Sequence, residues 1–195
     1  MKRLVLALAL AATASSAFAD PLSDALGSGD GLICFTRTYD AAWLKAHRGQ
    51  TVREVRFAVT QNKDWRTLRM SLRGAGGPLY LFGECAWYEG DLNRGGQHNI
   101  LDPGFKPTSG VGCMLYTDVA AGSAEEGGDF PVEWGGGKYI QVHLPDSLAA
   151  WRSHNVRRYA GWIKMRPADR VVRLDRAPAS ACRALVTRFA PGQPR

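Results

Sequence analysis

Apolar and polar residues alternate along the first half of the chain with a period of two. The alternation covers 54–59, resumes after a polar turn at 61–64 to cover 67–72, and resumes after the glycine-rich turn 74–78 to cover 79–87. Successive side chains of a strand point to opposite faces, so this pattern predicts three half-buried strands. Because the connecting turns are short, the strands are predicted to pair as an antiparallel meander.

The second half of the chain predicts more short strands and a few brief helices. Residues 88–112 lose the alternation and are rich in Gly, Asn, Asp and Pro, which predicts a long loop. About seven short strands with little helix indicate a mainly β fold, either an antiparallel sandwich or a small barrel. Further strands are predicted at 113–119, 130–134, 139–144, 159–165 and 171–174. Helical segments are predicted at 41–47 after the cap Asp40, in a turn from Asp146 to Trp151, and at 180–189.

The N-terminus has the three parts of a secretory signal peptide. Two basic residues precede an apolar run at 4–12, and small residues lead to an Ala-Phe-Ala end. The run is too short for a bilayer span, which needs about 20 apolar residues. We therefore predict that 1–19 is a signal peptide, that 20–31 is a flexible leader, and that 32–195 forms a single β-rich domain. The mature chain is expected to be periplasmic or secreted, without insertion into a membrane.

Four cysteines follow the signal, and an even number in an exported chain predicts two disulfides. Of the three possible pairings we favour Cys85 with Cys113, across the predicted loop, and Cys34 with Cys182, joining the two ends of the domain. Neither the cysteine nor the histidine spacings match those of a zinc site. The sequence therefore predicts no metal and no cofactor.

The predicted loop and its edge carry the candidates for catalysis and recognition. His98, Asp102 and Ser109 bring a base, a carboxylate and a hydroxyl together in sequence, which is the set that nucleophilic hydrolysis needs. Ser109 does not lie in a Gly-x-Ser-x-Gly elbow, so a surface histidine without chemistry is the preferred interpretation. Trp87 and Tyr88 are predicted to contact a partner, because aromatic rings supply much of the energy of such contacts.

Carboxylates beside aromatic residues raise a second hydrolytic hypothesis. A glycosidase needs two carboxylates across a sugar, one of them kept protonated by its surroundings. Glu84, Glu89 and Asp91 flank the aromatic pair, and Glu133 precedes a tryptophan. Such neighbours are common at strand ends, so we do not favour a hydrolase. His143 alternates with apolar residues and is predicted to face solvent.

The basic residues are densest in the last quarter of the chain. Arg157 and Arg158 lie beside Tyr159 and Trp162, and the whole chain has a formal net charge of +7 at pH 7. Cations interleaved with aromatics are typical of nucleic-acid binding, but the export signal argues against nucleic acid as the partner. An anionic envelope polymer or an envelope protein fits better. The alternative is that these arginines only solvate outward strand faces.

Two segments resemble the ends of a group of small exported bacterial proteins with no assigned activity. They are Cys-Phe-Thr-Arg-Thr-Tyr-Asp at 34–40, and Asp-Arg-Val-Val-Arg-Leu-Asp-Arg at 169–176 ahead of Cys182. The resemblance implies export and an outer disulfide from Cys34 to Cys182, and it supplies no catalytic residue. The segment 88–112 departs from that group, whose central cysteine loops are shorter.

These observations predict an exported, disulfide-stapled binding or envelope-associated protein without catalytic activity. One alternative is a small periplasmic hydrolase that uses the region 87–109. Another is a protease or lysozyme inhibitor, in which the stapled loop enters the cleft of its partner.

Overall fold

The computed structural model describes residues 20–27, 31–62, 65–89, 109–117, 126–153 and 161–188. The strands are β1 (Leu32–Thr38), β2 (Val52–Asn62), β3 (Trp65–Gly74), β4 (Gly77–Glu89), β5 (Ser109–Tyr116), β6 (Glu126–Gly135), β7 (Tyr139–His143), β8 (Ser147–Ala150), β9 (Gly161–Lys164) and β10 (Val171–Ala177). The helices are α1 (Pro21–Gly27), α2 (Ala41–Ala46) and α3 (Ser180–Arg188), and a 3-10 turn (Pro167–Asp169) precedes β10. None of the helices in these ranges is long and apolar enough to cross a membrane.

Eight of the strands form a closed antiparallel barrel in the order β1-β10-β7-β6-β5-β4-β3-β2. The barrel closes because β1 pairs with both β2 and β10, so that Cys34 lies opposite Ala58 on one side and opposite Ala177 on the other. The strands β8 and β9 pair as a separate two-stranded sheet. The mainly β fold and the small barrel are confirmed. The sandwich is wrong, because the first and last barrel strands pair with each other instead of ending two stacked sheets.

Apolar side chains fill the interior of the barrel. One inward row crosses four neighbouring strands as Phe35, Phe57, Met70 and Leu81, none of them more than 2% exposed. Within the same core, a disulfide joins Cys85 to Cys113, which lie directly opposite each other on β4 and β5. The interior of an eight-stranded barrel is just wide enough to be filled by side chains. The described part of this interior is therefore a packed core.

Helix α3 lies on the outside of the barrel wall. Its Cys182 forms a disulfide with Cys34 of β1, and Leu185 packs with Ala58 and Trp151 in a second buried cluster. Both disulfides thus have the pairing that we favoured from the sequence. The predicted C-terminal helix is confirmed over Ser180–Arg188.

Most of the predicted flexible leader 20–31 is structured, because Pro21–Gly27 form α1; residues 28–30 lie outside the described part of the chain. Leu22 and Leu26 lie one helical turn apart and are 1% and 2% exposed, buried in the main core. Asp20 caps the helix by accepting a hydrogen bond from the backbone N–H of Leu22, and it forms an ion pair with Arg66 of β3. The spacing of the two leucines is the signal that the sequence interpretation overlooked.

The helical turn predicted from Asp146 to Trp151 is also wrong, because these residues include β8. The backbone N–H and C=O of Trp151 both bond to the backbone of Tyr80, at 2.8 Å each. Leu148 packs in the interior core, whereas Trp151 packs in the outer cluster. Residues 148–151 are all buried, and their side chains pack on both faces of the segment, so no strand period is visible.

The bounds predicted for the loop, 88–112, are wrong at both ends. Strand β4 continues to Glu89, and β5 begins at Ser109 opposite it. Residues 90–108 lie outside the described part of the chain.

The predicted helix after Asp40 is confirmed, since the Asp40 carboxylate accepts a hydrogen bond from the N–H of Trp43 at 2.7 Å.

Candidate functional site

The residues proposed for nucleophilic chemistry fall almost entirely outside the described structure. His98 and Asp102 belong to 90–108, and Ser109 is described only as the first backbone position of β5. Their convergence therefore stays a prediction.

The two aromatic residues at the end of β4 face opposite sides of the barrel wall. Trp87 is half-buried against the core, where its ring meets that of Trp134 edge-on with centroids 6.2 Å apart. Tyr88 points outward and is 42% exposed. Its ring lies over Gly112, where an added Cβ would come within 2.6 Å of a ring carbon. Of the pair, Tyr88 is the one that presents its ring to solvent.

Two of the four proposed carboxylates are described, and both bond to neighbours on the barrel wall. Glu84 accepts a hydrogen bond from Tyr116, and burial together with this carboxylate raises the pKa of the tyrosine. Glu133 lies 2.6 Å from Nε2 of His143 and accepts a bond from Gln141 at 2.8 Å. His143 points away from the core as expected, but its side chain is only 15% exposed.

Because β5 separates their strands β4 and β6, Glu84 and Glu133 are not neighbours in the barrel wall. The other two carboxylates, Glu89 and Asp91, have no described side chain.

Most of the predicted basic site is not described, because Arg157, Arg158 and Tyr159 lie within 154–160. Its remaining member, Trp162 on β9, is 57% exposed, which is the highest value among the exposed large apolar side chains of the described residues. An aromatic ring on this surface is compatible with a contact site.

A groove that the sequence interpretation did not single out lies between α3 and the barrel wall. We define the α3 groove by its lining residues, which are Glu54, Arg56, Ser71, Arg73, Pro78, Tyr80, Ala184, Leu185 and Arg188. It has a volume of about 160 Å³. Pockets for drug-sized ligands measure roughly 300–1,000 Å³, so this groove suits a smaller group.

The barrel side of the α3 groove is a regular patch of outward positions on three neighbouring strands. The strand registers set Glu54 opposite Arg73, and Arg73 opposite Pro78. One step along, Arg56 lies opposite Ser71, and Ser71 lies opposite Tyr80. These registers fix the relative positions of the six side chains, since facing residues on paired strands have Cβ atoms about 5 Å apart.

The charges of the α3 groove do not balance. Glu54 binds Nε of Arg56 at 2.6 Å and lies 3.8 Å from Nε of Arg73. Arg56 also donates to the backbone carbonyl of Ala181 at 3.2 Å, which fixes it against α3. Arg188 makes no hydrogen bond or ion pair to any other described residue. One carboxylate thus faces three guanidinium groups, and Arg73 and Arg188 remain open to a further anion.

Part of the α3 groove can be predicted from the sequence. The alternation that buries Val55, Met70 and Leu72 also sends Glu54, Arg56, Ser71 and Arg73 outward on adjacent strands. Local periodicity does not reveal which strand face α3 covers.

No three His, Cys, Asp or Glu side chains of the described ranges cluster as metal ligands. The described chain defines a disulfide-stapled, eight-stranded antiparallel barrel with a basic groove on its outer wall. Comparisons with protein-family models, with curated proteins and with solved structures find no match.

Proposed function

We propose that this is an exported, non-catalytic binding protein whose partner is an anionic polymer of the cell envelope. The observation that carries the proposal is the unbalanced positive charge of the α3 groove. Guanidinium groups recognise carboxylate and phosphate through paired N–H donors, and they keep their charge at every physiological pH. A binding function on the outer wall also agrees with a barrel interior that is packed with side chains.

The two disulfides support the exported location. Disulfides persist in oxidising compartments such as the periplasm and are rare in the cytosol. The predicted signal peptide and the resemblance to small exported proteins point the same way. The predicted basic site at Arg157 and Arg158 is a second region to which the same polymer can bind.

Binding to immobilised polymers at increasing salt tests this function. The exported protein is applied to surfaces that carry alginate, polyphosphate or neutral dextran. We expect retention on at least one polyanion that weakens steeply with salt, because exposed charge pairs are screened. Two double charge reversals show which region is responsible for the salt dependence of retention. They are Arg73→Glu with Arg188→Glu, and separately Arg157→Glu with Arg158→Glu. Retention that ignores salt, or equal retention on dextran, contradicts the proposal.

The same preparation is assayed for hydrolysis of ester, glycan and peptidoglycan substrates. We expect no turnover. Turnover that falls about a hundredfold or more in His98→Ala is expected instead for general-base catalysis, and would establish the hydrolase alternative.

The inhibitor alternative has one structural observation in its favour. The Cys85–Cys113 disulfide crosslinks β4 and β5 close to the ends that flank 90–108. A crosslink at the base of a segment reduces the entropy that is lost when the segment binds a cleft. Inhibition of a purified lysozyme or serine protease at stoichiometric concentration distinguishes this function from polymer binding.

A further inference from the structure

We propose that the α3 groove selects an acidic sugar, with Arg73 and Arg188 binding its carboxylate and Tyr80 contacting its ring. This inference rests on the proposed function, because it names the ligand class for the same groove. It is narrower than that function, since polyphosphate binding alone would satisfy the function but not the inference.

The anion-binding pair follows from what each arginine already contacts. Arg56 is held by Glu54 on one side and by a backbone carbonyl of α3 on the other. The side chain of Arg73 is 64% exposed, and its only described ion pair is the 3.8 Å approach to Glu54. Arg188 projects from the last turn of α3 and has no partner among the described residues. Arg73 and Arg188 therefore retain free N–H donors at the groove.

The preference for a ring follows from the rest of the lining. Pro78, Tyr80 and Leu185 give the groove apolar surface next to its cations. The backbone of Tyr80 is fixed by two hydrogen bonds to Trp151, and its side chain packs against the outer buried cluster, so its ring is held in place before a ligand arrives. A fixed aromatic side chain offers contact area at little entropic cost. A bare inorganic anion uses the arginines alone, whereas a sugar acid uses both parts of the lining.

Titration with three small probes tests this inference. D-glucuronate carries a carboxylate on a sugar ring, glucose is the matched neutral ring, and inorganic phosphate is an anion without a ring. Backbone and arginine Nε–H signals of the exported protein are followed by two-dimensional NMR. We expect glucuronate to shift signals of β2, β3, β4 and α3, and to bind more tightly than phosphate, while glucose causes no comparable shifts.

Substitutions then assign the contacts. Arg73→Gln and Arg188→Gln are each expected to raise the Kd for glucuronate about fivefold, which is the upper range for an exposed charge pair. Arg73→Lys keeps the charge but loses the paired donors, so it is expected to fall between the parent and Arg73→Gln. Arg166→Gln removes an exposed arginine outside the groove and is the matched control. The exposed positions allow each variant to fold, which its melting temperature verifies.

Three results would overturn the inference. They are phosphate binding as tightly as glucuronate, glucose shifting the same signals to the same extent, and glucuronate binding that is unchanged in both glutamine variants. Any of these can occur while polyanion retention stays salt-dependent, in which case the proposed function stands and only the sugar specificity fails. In the opposite case, in which glucuronate binds but no polyanion is retained, the proposed function fails and the sugar specificity of the groove stands.

Discussion

The two disulfides lie on opposite sides of the same barrel wall and stabilise the molecule in different ways. Cys85–Cys113 faces the interior and joins residues that strand pairing already holds opposite each other. Cys34–Cys182 lies on the outside and attaches a nine-residue helix to β1. The inner bond reinforces an arrangement that the sheet already specifies, whereas the outer bond supplies an attachment that a short helix makes poorly by itself.

Removing the outer disulfide is the change with the largest expected effect. For a sequence separation of 148 residues, the chain-entropy model gives a loss of about 5 kcal/mol in the free energy of unfolding. We expect Cys34→Ala with Cys182→Ala to approach this loss and to expose the amides of α3 to solvent. Urea unfolding and hydrogen exchange measure the two effects. Unchanged protection of α3 would show that Leu185 and its neighbours hold the helix without the bond.

Removing the inner disulfide has a smaller expected effect. Its separation is 28 residues, for which the same model gives a loss of about 3.5 kcal/mol. We expect Cys85→Ala with Cys113→Ala to lower the stability by less than the outer pair and to leave hydrogen exchange in α3 unchanged. All four cysteines are at most 4% exposed, so cavity effects are comparable in the two variants. An inner loss larger than the outer one would reverse our ranking of the two bonds.

Helix α1 extends the comparison to a helix held without a covalent bond. Burial raises the pKa of Asp20, but the N–H of Ser23 and the guanidinium of Arg66 outweigh it and hold the pKa below the ordinary value of 3.8. A lowered pKa means that this carboxylate stabilises the folded state above pH 3.8 and ceases to do so as the pH falls through its folded-state pKa.

Asp20→Asn isolates that charge, because asparagine caps a helix about as well as aspartate. We expect a loss below about 1 kcal/mol at pH 7, as is usual for a partly exposed ion pair. The difference between parent and variant is expected to vanish when Asp20 is protonated in strong acid. Urea unfolding at both pH values measures it, and a constant difference would mean that the charge is not its source.

The sequence was informative wherever one face of a strand is buried and the other is solvated. This is the case for β2 and β3, where the alternation predicted two half-buried antiparallel strands. It failed for β1, where Ile33, Cys34 and Phe35 are all buried. The interior core covers one face of this strand and α3 covers the other, so a period of two cannot appear.

The residues of the α3 groove also differ in whether the sequence predicts their position. The outward positions of Glu54, Arg56 and Arg73 follow from local periodicity, but Arg188 reaches the groove because the outer disulfide and the packing of Leu185 place α3 beside it. Contacts between distant parts of the chain leave no periodic signal, so the sequence indicates a basic region only where arginines are close in sequence, as around Arg157.

Closure of the barrel also determines the order in which its strands can pair and its cysteines can form disulfides. The strand β1 needs β10 as its second neighbour, and the chain supplies β10 almost last. A chain that emerges from its N-terminus therefore leaves one edge of β1 unpaired while more than a hundred residues follow. During that interval Cys85 and Cys113 are available as disulfide partners for the thiol of Cys34, whereas Cys182 is not. The native pairing of Cys34 with Cys182 therefore requires that Cys34 form no lasting disulfide with the two nearer cysteines before Cys182 is available.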